Sequence, residues 1–383
     1  MQVRQITRHD LSYNKARIDA FSAIEPQLIL AFWAREPLDD TDFLDALAGS
    51  FPSAQLIGCS TSGDIHSQGV QDGGWVLTGI RFERPDTRFQ VVEATLAGLE
   101  DSRAAGLRLS ALLPPEDLRC VLVFAPGVGV NGSALVDGLA AGLAPEVWIS
   151  GGLAGDNGRF TRTMVLGPGG PATNSLVAVG LYGQHLHVAS ASHGGWKPFG
   201  PRRKATRCEG SLLHELDGQP ALALYKKYLG PYASGLPANG LLFPLEIMDD
   251  DAKSTGLLRT ILGVDEARQS IQLAGSVDEG SSLRLMHASP DALVEGAEAA
   301  ATASLALESR PPSLALCVSC VGRKLVMGER IEEEVLAVAD ELGSEVVLAG
   351  FYSNGEIGSA GKQGQYRLHN QTMSISVLGE DMT

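Results

Sequence analysis

Aromatic residues make up only 6% of this 383-residue chain, and charged residues only 20%. Basic residues are the scarcer kind: 30 Lys and Arg stand against 45 Asp and Glu, for a formal charge of −15. Such a surface repels phosphate backbones and anionic lipid, so neither nucleic acid nor a membrane is expected as partner. Cysteine is sparse too. Five in a chain of this length, an odd number, do not form a disulfide framework. No apolar run approaches the roughly 18–20 residues that span a bilayer. The opening "MQVRQITRHDLSYNKAR" has no apolar signal core. Together these absences lead us to expect a cytoplasmic protein. What is plentiful is apolar residues, at 44%, and glycine, at 45 positions. That describes a loop-rich globular chain long enough for two domains with proper cores.

The glycines recur in a pattern. "GCSTSGDI" (58–65), "GGLAGDNG" (151–158) and "GFYSNGEI" (350–357) are three versions of one loop that ends in an acid. An apolar run, a helical stretch and a second apolar run precede each. These are "QLILAFWA" (27–34), 39–51 and "AQLIG" (54–58), then "CVLVFAP" (120–126), 133–143 and "EVWISGG" (146–152). The third set is "SLALCVSCV" (313–321), 330–342 and "SEVVLAG" (344–350). A further strand follows each loop, at 74–82, 174–183 and 371–379. A helix between two fully apolar strands predicts a βαβ crossover with parallel strands. Each loop then emerges at a strand's carboxyl end, where α/β sheets bind ligands. Spacings of about 93 and 199 residues are too irregular for a solenoid and point to duplication. "IQLAGSVDEG" (271–280), ahead of an Ala-rich helix at 291–308, reads as a fainter fourth echo. The expected fold is α/β: two related α/β domains built from duplicated βαβ units, with mixed sheets covered by helices. Their strand ends are expected to surround a shared hollow. The boundary falls in "KPFGPRRKATRCEG" (197–210), giving domains 1–205 and 206–383, with a helix at 217–230 opening the second.

Five motifs then appear in order: "GGLAGD" (151–156), "GGWKPFGP" (194–201), "LDGQPALALYKKYLG" (216–230), "GFYSNGEIG" (350–358) and "LHNQTMSISVLG" (368–379). They resemble the FIST family, its N-terminal module in the first domain and its C-terminal module in the second. The resemblance implies a sensory input unit of signal transduction rather than an enzyme. A free-standing chain of this size looks like the bacterial haem-binding, nitric-oxide-sensing type that acts on a separate histidine kinase. Haem b is then the implied cofactor and a histidine kinase, or another signalling protein, the implied partner. A homo-oligomer fits as well. A eukaryotic F-box relative leaves room for a ligand-free interaction scaffold.

Several residue groups suit these readings. "HGGWKPFGPRRKATR" (193–207) gathers His193, Trp196, Lys197, Arg202, Arg203, Lys204 and Arg207. A haem needs an axial side chain, an apolar slot and cations for its propionates. His193 is the expected axial ligand with His369 second, Trp196 beside them, and Lys197, Arg202 and Arg203 near the propionates. The alternative is a solvated basic linker. His185 and His187, two apart in a strand, would share one face and could chelate a metal with a third ligand, but none is evident nearby. Cys317 and Cys320, in an apolar strand with Val321 where covalent haem attachment needs His, read as buried thiols. "GVGVNG" (127–132) is a literal G-x-G-x-x-G, yet the next strand ends "WISGG" without the acid that a dinucleotide ribose requires. "CSTSG" (59–63) offers hydroxyls but no local base. The loop acids Asp64, Asp156 and Glu356 either fix their own turns or receive the ammonium of an amino-acid-like ligand. Asn354 and Glu356, with His369 and Asn370, are the best candidates for a C-terminal metabolite pocket, and Arg323 its counter-ion.

Overall fold

Each of the three sequence copies folds as the same unit. In the computed structural model all residues are described except 9–14, 35–48, 250–252, 308–309, 360–364 and 382–383. The expected parallel pairs are present: Leu28–Trp33 with Gln55–Ser60, Leu118–Ala125 with Trp148–Leu153, and Leu314–Cys320 with Val347–Ser353. A third strand, Trp75–Arg81, Ser175–Tyr182 or Met373–Glu380, runs antiparallel beside the first of each pair. Gln2–Thr7, Arg88–Thr95 and Leu186–His193 close the outer side of each copy. Parallel strands cannot be joined by a tight turn. Helices Gly132–Ala141 and Ile331–Leu342 make the crossovers in the second and third copies. Most of the helix expected at 39–51 lies outside the described residues.

The hairpin that follows each parallel pair leaves its own sheet. Asp64–His66 of the first copy pairs with Val347–Ser353 of the third. Val165–Gly167 of the second pairs with Gln55–Ser60 of the first, and Gly355–Ser359 of the third with Trp148–Leu153 of the second. Each copy thus covers an edge of its neighbour, which would otherwise expose a row of unpaired backbone groups. The result is three six-stranded mixed sheets, each built from two copies. They pack together on an apolar centre. Phe32 and Phe124 sit opposite Cys59 and Gly152, whereas the third copy inverts the pair and sets Val318 opposite Phe351. The inversion lets three rings share one space, with centroids 5.7, 4.8 and 6.1 Å apart. Where the sheets meet, the expected hollow is therefore filled.

The third copy carries an insertion. Between Leu186–His193 and helix Pro290–Ala306 the chain forms an eight-stranded antiparallel sheet with its own core around Leu213, Leu222, Tyr225, Ile271 and Leu283. The stretch expected as a linker is its longest strand, Lys197–Glu209. Residues 205 and 206 lie within that strand: Lys204 pairs with Ser282 on one side, and Ala205 with Leu216 on the other. Ser270–Leu273, the fainter echo, is antiparallel to both its neighbours and belongs to this sheet rather than to a fourth βαβ copy. No helix among the described residues is long and apolar enough to cross a membrane.

Candidate functional site

The first glycine of each loop is needed for packing. A Cβ on Gly58, Gly151 or Gly350 would lie 1.8, 1.9 and 1.8 Å from the carbonyl oxygen of Ala31, Val123 and Cys317 on the parallel partner strand. The loops then run into one another. Gly155 N donates to Ser60 O at 2.8 Å, Ser62 N to Tyr352 O at 2.8 Å, and Asn354 N to Leu153 O at 3.2 Å. Hydroxyls of "CSTSG" are used in the same way, with Ser60 Oγ donating to Gly155 O and Thr61 Oγ1 to Asp64 Oδ1.

The three acids are not equivalent. Asp64 and Glu356 stand six residues after their first glycine, Asp156 only five. Asp156 caps its own turn, accepting from the backbone N–H of Phe160, Thr161 and Arg162 at 2.9, 2.7 and 3.0 Å. Glu356 accepts from Ser353 Oγ at one oxygen and from Thr372 N and Oγ1 at the other. Burial nevertheless pushes its pKa up to about 7. Asp64 has less support, since its Oδ2 has no hydrogen-bond partner, and burial raises it to about 8.

Beside Glu356 lies the unusual part of the molecule. His369, Asn370, Gln371 and Thr372 are four consecutive polar residues, all buried. Among the described residues both ring nitrogens of His369, Asn370 Oδ1, Gln371 Oε1 and Asn354 Oδ1 have no hydrogen-bond partner. Buried polar atoms are ordinarily paired, and each exception calls for a physical account. Burial, then the charge of Arg259, pulls the His369 pKa down to about 4, so the ring is neutral. The backbone of Gly358 and Ser359 is near that ring but out of hydrogen-bonding geometry. Arg259 comes from the inserted sheet and donates through Nη1 to Leu368 O at 3.2 Å. Gln371 reaches the insertion too: its Nε2 donates to Leu241 O at 2.9 Å, while its main-chain carbonyl accepts from Trp196 Nε1 at 2.8 Å. The cluster therefore sits at the seam between the three-copy body and the insertion, and seams of this kind commonly hold small molecules.

The structure brings together Asn354, Glu356, His369 and Asn370, with Trp196 fastening the seam. Arg323 has other obligations. Its guanidinium is fully buried and bonded to Glu334 at 2.7 Å, Gly194 O at 2.6 Å and Leu293 O at 2.8 Å. Lys197 and Arg202 are exposed on the long strand, and Arg203 is bound to Tyr228 and Asp217. His193 ends its strand at the surface, where partial burial lowers its pKa. These side chains do not make a haem site as arranged. His193 is exposed, one propionate cation is already paired with Asp217, and His369 is buried near the charges of Arg259 and Arg367. A cleft of about 200 Å³ lined by Val3, Arg4, Gln5, Ser67 and Val347 lies elsewhere and is small for a cofactor. His185 lies in the turn before the strand, paired with Asp86 at 2.7 Å, while His187 is buried, so the two do not share a face. No cluster of three potential metal ligands occurs among the described residues. Cys317 and Cys320 are buried free thiols, as their strand predicts.

The motifs agree with what comparison with known proteins shows. The FIST N domain matches residues 27–219 and the FIST C domain residues 221–359. The chain belongs to the FIST family. FIST domains are sensor domains of signal transduction. Among solved structures, the cyanuric acid hydrolase from A. caulinodans is 12% identical to this FIST chain with a TM-score of 0.34, covering 100% of both chains. A cyanuric acid hydrolase described as an evolutionary innovation by structural concatenation is 10% identical with a TM-score of 0.37, covering 99% of each. No curated protein matches. Sequence reasoning missed Arg259 and Gln371. Arg259 ends the short strand "STGLLR", whose first half is exposed, so the sequence gives no sign that this arginine is buried. Gln371 carries a quieter signal, as the third polar residue of the run "HNQT".

Proposed function

We propose that this FIST protein senses a small polar metabolite, of amino-acid size, bound at the seam between the inserted sheet and the third copy. One observation carries the reading: His369, Asn370, Gln371 and Asn354 leave interior polar atoms unpaired beside a buried cation. A ligand offering donors and acceptors of its own would satisfy them, and unpaired groups in the empty state are costly enough to favour binding. Occupancy would alter the hold of Gln371 on Leu241 and Trp196, and so the set of the insertion against the body. Output then passes to a separate signalling protein, for which a histidine kinase is the partner suggested by family resemblance.

A thermal-shift screen with amino acids and related metabolites tests this. A true ligand raises the melting temperature with concentration. Asn370→Leu, which removes the unpaired carbonyl together with the Nδ2 bond to His369 O, is expected to weaken that response about ten-fold. A screen without response, or an unchanged response in the variant, would overturn the assignment. A Soret band on adding haem, lost in His193→Ala, would move the site to the basic strand instead.

A further inference from the structure

We infer that the molecule bound at this seam carries an oxyanion, a carboxylate or a phosphate, received between Arg259 and the first turn of helix Gly132–Ala141. The inference rests on the polar-ligand reading above and names the charged group that such a ligand must bring. Arg259 is 4% exposed and has no carboxylate partner among the described residues. Its bonds all go to carbonyl oxygens: Nε to Ser276 at 2.9 Å, Nη1 to Leu258 at 2.9 Å and to Leu368 at 3.2 Å. Among the described residues Nη2 makes no hydrogen bond. Carbonyls fix the guanidinium in position but do not neutralise it, and a buried charge without a counter-charge is costly. Asp278 and Asp137 act on it only through space, and Arg367 adds a second positive charge nearby. Burial draws its pKa down to about 10, so the cation persists at neutral pH.

The helix start faces the same spot. Ser133 Oγ lies 3.4 Å from the N–H of Ser276, the residue whose carbonyl holds Arg259. A Cβ on Gly275 would fall 2.8 Å from Arg259 Nε and 3.1 Å from Ser133 Oγ, so glycine here lets the guanidinium and the helix start pack side by side. Asn131 caps the helix by accepting from Ala134 N at 3.1 Å. The N–H groups of Gly132 and Ser133 remain as outward donors at the positive end of the helix dipole. This gives "GVGVNG" a role that the dinucleotide pattern did not: it delivers a helix start to a buried arginine. An independent sign of a ligand comes from Asn354. Only 8% exposed, it lies against Gly127 at the beginning of the same loop, with Nδ2 3.4 Å from Gly127 O and Oδ1 unpaired. An anion at Arg259 and a hydrogen-bond donor at Asn354 would belong to one bifunctional molecule.

Matched probes test the inference by thermal shift and calorimetry on the full chain. The probes are L-amino acids, their neutral carboxamides, O-phosphoserine, inorganic phosphate and uncharged polyols. At least one carboxylate or phosphate is expected to bind about ten-fold or more tightly than its uncharged counterpart. Binding by phosphates alone, or by carboxylates alone, identifies the oxyanion. Arg259→Met should abolish that preference. Because a buried substitution can also harm folding, Ser133→Asp provides a second route: it sets a carboxylate at a helix start that favours one. That variant should melt at least as high as the parent without ligand and lose oxyanion binding about ten-fold or more. If carboxamides and polyols bind as well as the acids, the oxyanion is refuted while the polar-ligand reading stands. If no probe of either kind changes melting, both fail.

Discussion

Asp64 and Glu356 hold protons that ordinary carboxyls lose. Their pKa values, about 8 and about 7, are raised first by burial. The folded chain therefore keeps protons that the unfolded chain releases above about pH 4, and stability falls as pH rises through the window from about 4 to 8. His369 works in the opposite sense. Its folded pKa is about 4, so the unfolded chain protonates first, and stability rises with pH between about 4 and 6.5. His369 offsets one of the two carboxyls in the acid range, so the decline is shallower between about pH 4 and 6.5 than above it. Asp64, with Thr61, Asp72 and Lys324 around it, dominates the upper part of that decline. Asp64→Asn keeps the acceptor for Thr61 and should flatten the melting temperature between pH 7 and 8.5; an unaltered slope would assign the titration elsewhere. Glu334 is a different kind of residue. It accepts from Arg323, Ser319 and Tyr352 in the interior. Glu334→Ala strands the guanidinium, and chemical denaturation should register a loss of about 3–5 kcal/mol.

At the scale of elements, the glycine loops show what sequence can and cannot disclose. Their repetition was legible because three parallel strands each bring a carbonyl to the place where a Cβ would stand. At Gly151 the backbone adds φ +133°, a conformation that a side chain resists. Gly151→Ala should therefore cost about 1–3 kcal/mol or prevent folding, as read by urea melts. The crossovers were legible for the same reason, since strands buried on both faces are apolar throughout. Pairing partners were not. Nothing in "GDIH" or "GEIGS" says that the hairpin crosses to another copy, because an antiparallel edge accepts many sequences. The long strand Lys197–Glu209 misled for a related reason. Its Pro, Gly and charges resemble a linker, yet they suit a strand interrupted by bulges and exposed over its first half. The polar run His369–Asn370 was visible as a pocket candidate. Arg259, more than a hundred residues away in sequence, becomes its neighbour only through the tertiary fold.

Across the whole molecule, the exchange of hairpins binds the two family domains more closely than a linker would. Residues 1–205 alone would lack Met373–Glu380 beside Leu186–His193 and Gly355–Ser359 beside Trp148–Leu153. With Val347–Ser353 gone from beside Asp64–His66 as well, three strands would lose a partner, a condition that invites aggregation. Expressed alone, this half should elute as large assemblies in size-exclusion chromatography, and co-expression with 206–383 should return a species of the full chain's size. A monodisperse isolated half would show that the exchanged strands contribute little. The circular order of the exchange reaches further than this chain's stability. One repeat cut free would offer its neighbour a flap while keeping a vacant groove, and only a closed circle leaves no member wanting. The arrangement amounts to a trimer threaded onto a single polypeptide. Tethering then released the members from being identical, so that one of them could acquire an extra sheet that its sisters do not share.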